Sequence, residues 1–156
     1  MILKVKKLVD HAVMPERKTA GAVGFDLYTA EEKIIQPYHT ELVGTGLSFE
    51  LPHSTEMQIR PRSSTFKNTM LDIQGTIDSD YRGEVKLMIR NLGAYPVEIK
   101  IGDRLAQAII NEVKLPVIEE AERLSDTDRG AGGFGSTGVN DQLKNLINEI
   151  VQNDRS

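Results

Sequence analysis

The chain has 156 residues, no cysteine and a formal net charge of −4. Its length is that of one domain, and the lack of cysteine excludes disulfides, thiolate nucleophiles and cysteine-ligated metal centres. An acidic chain is a poor candidate for binding DNA or RNA, which depends on neutralising phosphates, so no nucleic-acid partner is expected.

The sequence shows no pattern typical of a membrane or exported protein. No apolar run approaches the ~20 residues that span a bilayer. The segment Met1–Lys7 contains three lysines, which makes it too charged for the core of a signal peptide. We therefore expect no membrane partner and a cytoplasmic location.

Strand patterns follow one another along the chain. Apolar and polar residues alternate with period two in Leu47–Leu51, Glu84–Arg90, Val97–Ile101 and Ala106–Ile110. Such alternation indicates strands with one buried face. Turn residues punctuate these runs, Gly44 and Gly46 among them. Short strands separated by turns every ~8–12 residues favour an all-β sandwich or barrel.

Two helices are predicted. One is short and runs from about Ser63 to Lys67. The other is C-terminal and amphipathic, with Asn140 or Asp141 as its N-cap. Its apolar residues have the spacing of one helix face: Leu143, Leu146, Ile147, Ile150 and Val151.

A glycine-rich stretch precedes the C-terminal helix. Residues 125–138 contain five glycines, which is typical of a mobile arm or a disordered linker. The stretch matches G-x-G-x-x-G and nearly matches a P-loop, but both motifs need a preceding strand, and Ser136 replaces the P-loop lysine. Arg129 carries a planar guanidinium that can bind phosphate, and Phe134 carries an aromatic ring on which a base can stack. These two residues favour a lid over a disordered linker. The expected organisation is a β-barrel core over residues 1–124, the arm over 125–138 and a helical extension over 139–156.

Three other segments have both a functional and a plain structural interpretation. Arg60–Thr65 places two arginines beside three hydroxyls, which indicates an anion site, a helix N-cap or both. Gly75–Gly83 and Gly102–Arg104 are typical of hairpin turns, although the first contains Asp78 and Tyr81. The three histidines are scattered, so a metal site built from them is not expected.

Taken in order, these segments resemble the five motifs of the homotrimeric dUTP pyrophosphatase (dUTPase) family, from about Met14 to Gly138. The matching segments are Ala22–Leu27, Pro61–Ser64, Gly75–Gly83, Gly102–Gln107 and Arg129–Gly138. Each is weak alone, but five in order at compatible spacing are specific. Ser64 stands where many members have glycine. Its hydroxyl is small and can bond phosphate, so we expect activity to be kept.

The resemblance implies an all-β, jelly-roll-like β barrel. It also implies a homotrimer with its sites at subunit boundaries and the C-terminal arm exchanged to close a neighbour's site. The implied reaction is hydrolysis of dUTP to dUMP and pyrophosphate, which keeps uracil out of DNA and supplies dUMP for dTMP synthesis. Mg²⁺ is the implied cofactor, held through the triphosphate and water with no direct protein ligand, in keeping with its preference for hard oxygens and retained waters.

The resemblance also implies the residues that act on the nucleoside and on the water. Asp78 would orient and activate the attacking water and touch the sugar 3′-OH. Tyr81 would pack under the deoxyribose and leave no space for a ribose 2′-OH. The hairpin Gly75–Lys86, Ile77 included, would read uracil largely through its backbone, and Phe134 of the arm would stack over the base.

The phosphate contacts follow from the other motifs. Asp26 would not contact the substrate itself but would order basic residues or metal-bound water beside it. The implied substrate contacts outside the hairpin, apart from Phe134, are Arg62, Ser63, Ser64, Gln107, Arg129, Gly135, Ser136 and Thr137.

Two other functions stay open at this point. A dCTP deaminase, or its bifunctional relative, has the same fold, and ammonia release from dCTP would identify it. The Asp78–Tyr81 match and the full arm favour the pyrophosphatase. A regulatory protein would keep the pocket but bind a protein partner through the C-terminal helix, and pull-down with and without that helix would test this.

The C-terminal extension generates a prediction of its own. Many family chains end just after the fifth motif, whereas this chain continues from Val139 to Ser156. Our hypothesis is that the Leu143/Ile147/Ile150 face docks on a neighbouring subunit and tethers the arm, rather than forming a frayed appendage. Truncation after Val139 is then expected to raise KM or to weaken the trimer, measured by steady-state kinetics and by size-exclusion chromatography on dilution. Unchanged KM, kcat and trimer stability would refute the hypothesis.

Overall fold

The structure is a computed structural model in which residues 2–132 are described. Those residues form nine strands and one helix. The elements are β1 Lys4–Lys7, β2 Phe25–Tyr28, β3 Lys33–Ile35, β4 Thr40–Glu50, β5 Thr55–Pro61, α1 Ser63–Thr69, β6 Leu71–Ile77, β7 Glu84–Asn91, β8 Val97–Ile99 and β9 Arg104–Glu112.

Seven strands form one antiparallel sheet in the order β1-β4-β7-β6-β5-β9-β2, and β3 pairs with β8 in a second, two-stranded sheet. The predictions of an all-β fold and a short internal helix are confirmed. The predicted helix over Leu143–Val151 lies outside the described residues.

Burial follows the period-two pattern that predicted the strands. In β7 every second side chain is buried, and Val85, Leu87 and Ile89 have no exposed surface. Burying a side chain of this size stabilises a fold by ~1.5–3 kcal/mol. The rings of Phe25 and Phe49 stack with their centroids 6.4 Å apart and join β2 to β4 within the same core.

Strand β4 corrects one interpretation of the sequence. Gly44 and Gly46 signalled a turn, but both lie inside β4, where the register against β7 shifts between Gly44 and Ser48. Gly46 has φ +66°, and a Cβ there would stand 2.6 Å from Val9 Cγ2. The Glu84 carboxylate accepts the Gly46 N–H at 2.9 Å, so the bulge is satisfied without a turn.

Helix α1 corrects a second interpretation of the sequence. The Ser63-Ser64-Thr65 sequence suggested hydroxyl capping, but Arg62 occupies the N-cap position and no side chain caps the helix. The helix ends at Met70, whose φ of 57° is the left-handed conformation of a C-cap.

The chain divides into two compact units, with the boundary between Pro116 and Val117. The first contains every strand and the helix of the described residues. In the second, Gly130 N–H donates to Thr127 O at 3.0 Å and closes a turn. The sequence-based boundary at residue 124 stays a prediction. Within residues 2–132, no helix has the length and apolar character needed to cross a membrane.

Asn91, at the end of β7, generates a stability prediction. It is fully buried, and its Nδ2 donates to Ile35 O at 3.0 Å and Tyr95 O at 2.8 Å, while its Oδ1 accepts the Gly93 N–H at 2.9 Å. Asn91→Ala leaves these backbone groups unpaired, so the free energy of unfolding is expected to fall by about 2–4 kcal/mol, measured by chemical denaturation.

Asn111→Ala is the matched control. Asn111 is only half-buried and makes one long hydrogen bond, 3.4 Å to Glu56 Oε1. Its loss is expected to cost less than about 1 kcal/mol. Equal losses in the two variants would contradict the role of Asn91.

Candidate active site

The first part of the site lies where β2, β9 and the end of β5 run side by side. The register pairs Asp26 of β2 with Gln107 of β9, and Gln107 with Arg60 of β5. Arg62 follows β5 directly. Asp26, Gln107 and Arg62 open onto a cleft of about 290 Å³, which we call the arginine cleft. It is lined by Lys18, Ala22, Val23, Gly24, Asp26, Arg62, Ser63, Gln107 and Ile109.

Asp26 holds two arginines at the arginine cleft. Its Oδ1 lies 3.0 Å from Arg62 Nε and its Oδ2 lies 3.1 Å from Arg104 Nη1. The Asp26 side chain is 11% exposed, and those of Arg62 and Arg104 are 26% and 35% exposed. Each carboxylate oxygen therefore accepts from a guanidinium that is largely shielded from water. This fixes the plane of Arg62 beside the cleft.

Neighbouring backbone groups complete the placement of Arg62. Its N–H donates to Leu105 O at 3.1 Å, and its Nη1 lies 3.4 Å from Ser64 Oγ. Gln107 Nε2 donates to Pro61 O at 3.3 Å. The structure thus brings together five residues singled out in the sequence: Asp26, Arg62, Ser63, Ser64 and Gln107.

The second part of the site is the hairpin between β6 and β7. Its cleft has about 290 Å³ and we call it the hairpin cleft. It is lined by Leu42, Thr76, Ile77, Asp78, Tyr81, Glu84 and Lys86. Of the sequence-predicted hairpin residues, Ile77, Asp78, Tyr81 and Lys86 are in this lining, and Gly75 lies within β6 opposite Ile59.

The tyrosine of the hairpin is held in place by its own turn. Tyr81 N–H donates to Asp78 O at 3.2 Å, and Tyr81 Oη donates to Glu84 O at 3.0 Å. Gly83 sits under the ring, and a Cβ at that position would collide with Tyr81 Oη. Glu84 Oε2 lies 3.6 Å from Lys86 Nζ. The ring is therefore fixed at the mouth of the hairpin cleft while remaining 44% exposed.

The two clefts lie apart in a single chain. Ile77 of β6 pairs with Met57 of β5, so Asp78 is level with Glu56, whereas Arg62 follows the other end of β5. Six residues at ~3.3 Å per residue place about 20 Å between them along the strand. The two linings share no residue. One chain therefore does not bring Asp78 to Arg62.

The arm residues belong to the second unit of the chain. Arg129 Nε donates to Gly132 O at 2.7 Å within that unit. The four other predicted arm residues, Phe134, Gly135, Ser136 and Thr137, lie outside the described residues.

Two basic residues near the site received no role from the sequence. Arg104 shares the Asp26 carboxylate, and Lys18 lines the arginine cleft. Lys18 lies in a loop without a motif, and Arg104 reaches Asp26 only because β9 pairs with β2. A single sequence carries no signal for that pairing. Among residues 2–132, no group of three or more histidine or acidic side chains is placed to hold a metal ion.

Comparison with known proteins identifies the family. The dUTPase family model matches residues 10–138. The deoxyuridine 5′-triphosphate nucleotidohydrolase of Nautilia profundicola is 52% identical over 88% of this chain and 99% of its own length. The same-named protein of a Thermoanaerobacter species is 49% identical over 89% of this chain and 99% of its own length.

Solved structures extend the likeness to the fold. The dUTPase of Staphylococcus bacteriophage 80alpha, solved with dUPNHPP, has a TM-score of 0.83 and 27% identity over 88% of this chain and 99% of its own. The fold and these matches define the class as an all-β, jelly-roll-like nucleotide hydrolase, and the predicted fold class is confirmed. The chain belongs to the dUTPase family.

The carboxylate between the two arginines generates a stability prediction. Asp26→Asn removes the only negative charge on which Arg62 and Arg104 both converge in the described residues. The free energy of unfolding is expected to fall by about 1–3 kcal/mol, since the pair is partly buried. Glu50→Gln is the control, because it breaks the exposed Lys4–Glu50 pair, and should cost less than about 1 kcal/mol. Similar losses from both variants, measured by denaturation, would argue against a special role for Asp26.

Proposed function

We propose that this chain hydrolyses dUTP to dUMP and pyrophosphate by attack of water on the α-phosphate. The observation that carries the proposal is the hairpin cleft, where a carboxylate and a fixed tyrosine face one pocket. Membership of the dUTPase family and relatives named deoxyuridine 5′-triphosphate nucleotidohydrolase support it.

In this proposal Asp78 is the general base and Tyr81 is the sugar platform. The Asp78 carboxylate is exposed at the turn, where a water can reach it. The Tyr81 ring, whose hydroxyl donates to Glu84 O and lies against Gly83, would leave no space for a 2′-hydroxyl. Uracil would be read by the backbone from Gly75 to Lys86, as the family resemblance implies.

The arginine cleft would hold the phosphates. Phosphoryl transfer depends mainly on positioning and charge neutralisation, for which the bidentate fork of Arg62 and the hydroxyls of Ser63 and Ser64 are suited. Gln107 would add an amide donor. Arg129 and the arm residues 134–137 would add contacts from the fifth motif.

Mg²⁺ would reach the site through the triphosphate. Both oxygens of Asp26, the carboxylate in the arginine cleft, accept from arginines, so this donor set suits an ion held by phosphate oxygens and water rather than a protein cage. When bound, the ion would neutralise charge that develops on the phosphates. The chain's own residues orient the substrate and exclude misplaced water.

The proposed active assembly is a homotrimer with exchanged C-terminal arms. The separation of about 20 Å between Asp78 and Arg62 along the strands supports it, because a triphosphate nucleotide needs both clefts at one site. The hairpin cleft of one copy would lie against the arginine cleft of a partner copy and complete the site. We also propose a cytoplasmic location.

The deciding experiment incubates the purified chain with Mg²⁺ and dUTP, dTTP, dCTP or UTP, with pyrophosphate and ammonia measured separately. Pyrophosphate from dUTP alone supports the proposal. Ammonia from dCTP supports the deaminase instead. No reaction with any of the four, from a folded trimer, refutes the enzymatic proposal and favours a regulatory role.

Asp78→Asn tests the assigned base. A general base contributes ~10²–10⁴ in rate, so kcat for dUTP is expected to fall at least about 100-fold, while dUTP still binds in calorimetry. Asp80→Asn changes the same turn without changing the lining of the hairpin cleft and is expected to keep kcat within about fivefold. Near-wild-type turnover in Asp78→Asn would remove the assignment.

A further inference from the structure

A loop before β2 presents a lysine to the arginine cleft. Lys18 is part of the cleft lining together with Arg62, Ser63 and Gln107, and its side chain is 49% exposed. It lies outside all five motif segments, and the roles assigned above leave it unused.

The loop is fixed to β2 at Glu16. Asp26 N–H donates to Glu16 O at 2.9 Å, which forms an isolated antiparallel bridge with β2. The Glu16 carboxylate accepts a hydrogen bond from Tyr28 Oη at 2.6 Å and another from Lys18 Nζ. Backbone and side chain therefore both anchor Glu16, and Lys18 is held by an anchored partner.

The charges of the cleft lining give Lys18 its significance. Arg62 and Asp26 are the other charged residues in the lining, and they pair with each other. With Lys18, the lining holds two positive side chains and one negative one, in a chain whose own net charge is −4. An ammonium has three donors, so binding to Glu16 leaves donors for a phosphate oxygen.

The electrostatics of the cluster keep Lys18 charged. Hydrogen bonding to Glu16 raises the pKa of Lys18, although partial desolvation opposes it. Hydrogen bonds from Lys18 and Tyr28 lower the pKa of Glu16. Both groups are ionised at neutral pH, and the pair forms without a protonation step.

We infer that Lys18 is a further substrate-binding residue, which contacts the phosphate chain of the nucleotide from the loop before β2, and that Glu16 and Tyr28 are positioning residues for it. The inference rests on the proposed function, since it takes a nucleoside triphosphate as the occupant of the arginine cleft. The alternative is that Lys18 and Glu16 form an ordinary surface ion pair, which contributes little to stability and nothing to substrate binding.

The test compares Lys18→Met with Lys4→Met in the full chain. Lys4 also makes a single exposed ion pair, with Glu50 at 2.7 Å, but it lies on β1 outside the arginine cleft. Loss of one charge-assisted phosphate contact is expected to raise KM for dUTP about tenfold in Lys18→Met, with kcat within about twofold. Lys4→Met should keep both constants.

Three further variants separate positioning from general damage. Lys18→Arg keeps the charge and should recover most of the affinity. Glu16→Gln and Tyr28→Phe should raise KM about two- to fivefold without lowering kcat, because the lysine stays but is held less firmly. Raising the salt concentration should increase KM less steeply in Lys18→Met than in the wild type.

The outcomes are distinct. A wild-type chain that hydrolyses dUTP, with Lys18→Met and Lys4→Met equal in KM, overturns the inference and leaves the proposed function standing. A wild-type chain that leaves dUTP intact overturns both. If Lys18→Met lowers the melting temperature, Lys18→Gln replaces it, and a wild-type KM in that variant also overturns the inference.

Discussion

The Asp26 carboxylate is the constraint around which the charged half of the site is arranged. Two guanidinium groups, Arg62 and Arg104, would repel each other at the edge of the sheet, and a shared carboxylate converts that repulsion into two attractions. Near a protein surface, charges about 4 Å apart interact by ~4 kcal/mol, although desolvation offsets part of this. The three side chains come from β2, β9 and the residue after β5, so this contact requires the β5-β9-β2 register. Arg62 is consequently positioned before any ligand arrives, and preorganisation of this kind is what phosphate chemistry requires.

The hairpin cleft depends on a different device. Its chemistry-bearing residues, Asp78 and Tyr81, lie in a turn, and turns are usually adaptable. Here the turn is fixed by the Tyr81 hydroxyl on Glu84 O and by the absence of a side chain at Gly83. Glu84 also anchors the β4 bulge through Gly46 N–H, so the same residue connects the hairpin to the next strand of the sheet. Asp78 and Arg62 lie about 20 Å apart along the strands, so the proposed function needs a partner copy to bring the two clefts together.

The sequence predicted those parts of the molecule that depend on local patterns. Strands β7 and β9 were visible because alternation of polar and apolar residues reports burial directly. The first half of β4 was not, since Gly44 and Gly46 have the composition of a turn, and only the distant carboxylates of Glu31 and Glu84 make that backbone acceptable within a strand. The same difference between local patterns and long-range contacts applies to the site residues. Motif segments, the one with Arg104 included, were identifiable by their order, whereas the contact of Arg104 with Asp26 and the placement of Lys18 depend on strand pairing and loop closure, which a single sequence does not reveal.

The remaining question is how an acidic chain attracts a polyanion. Its formal net charge is −4, so the average field of the molecule opposes a nucleoside triphosphate. Screening limits that opposition, because the Debye length is about 8 Å at physiological ionic strength. Within that distance the lining of the arginine cleft decides the potential. There two arginines share the single Asp26 carboxylate, which leaves a local surplus of positive charge. In the proposed function, local pairing rather than net charge therefore governs how this cleft receives a phosphate chain, and the inferred role of Lys18 extends that pairing beyond the family motifs.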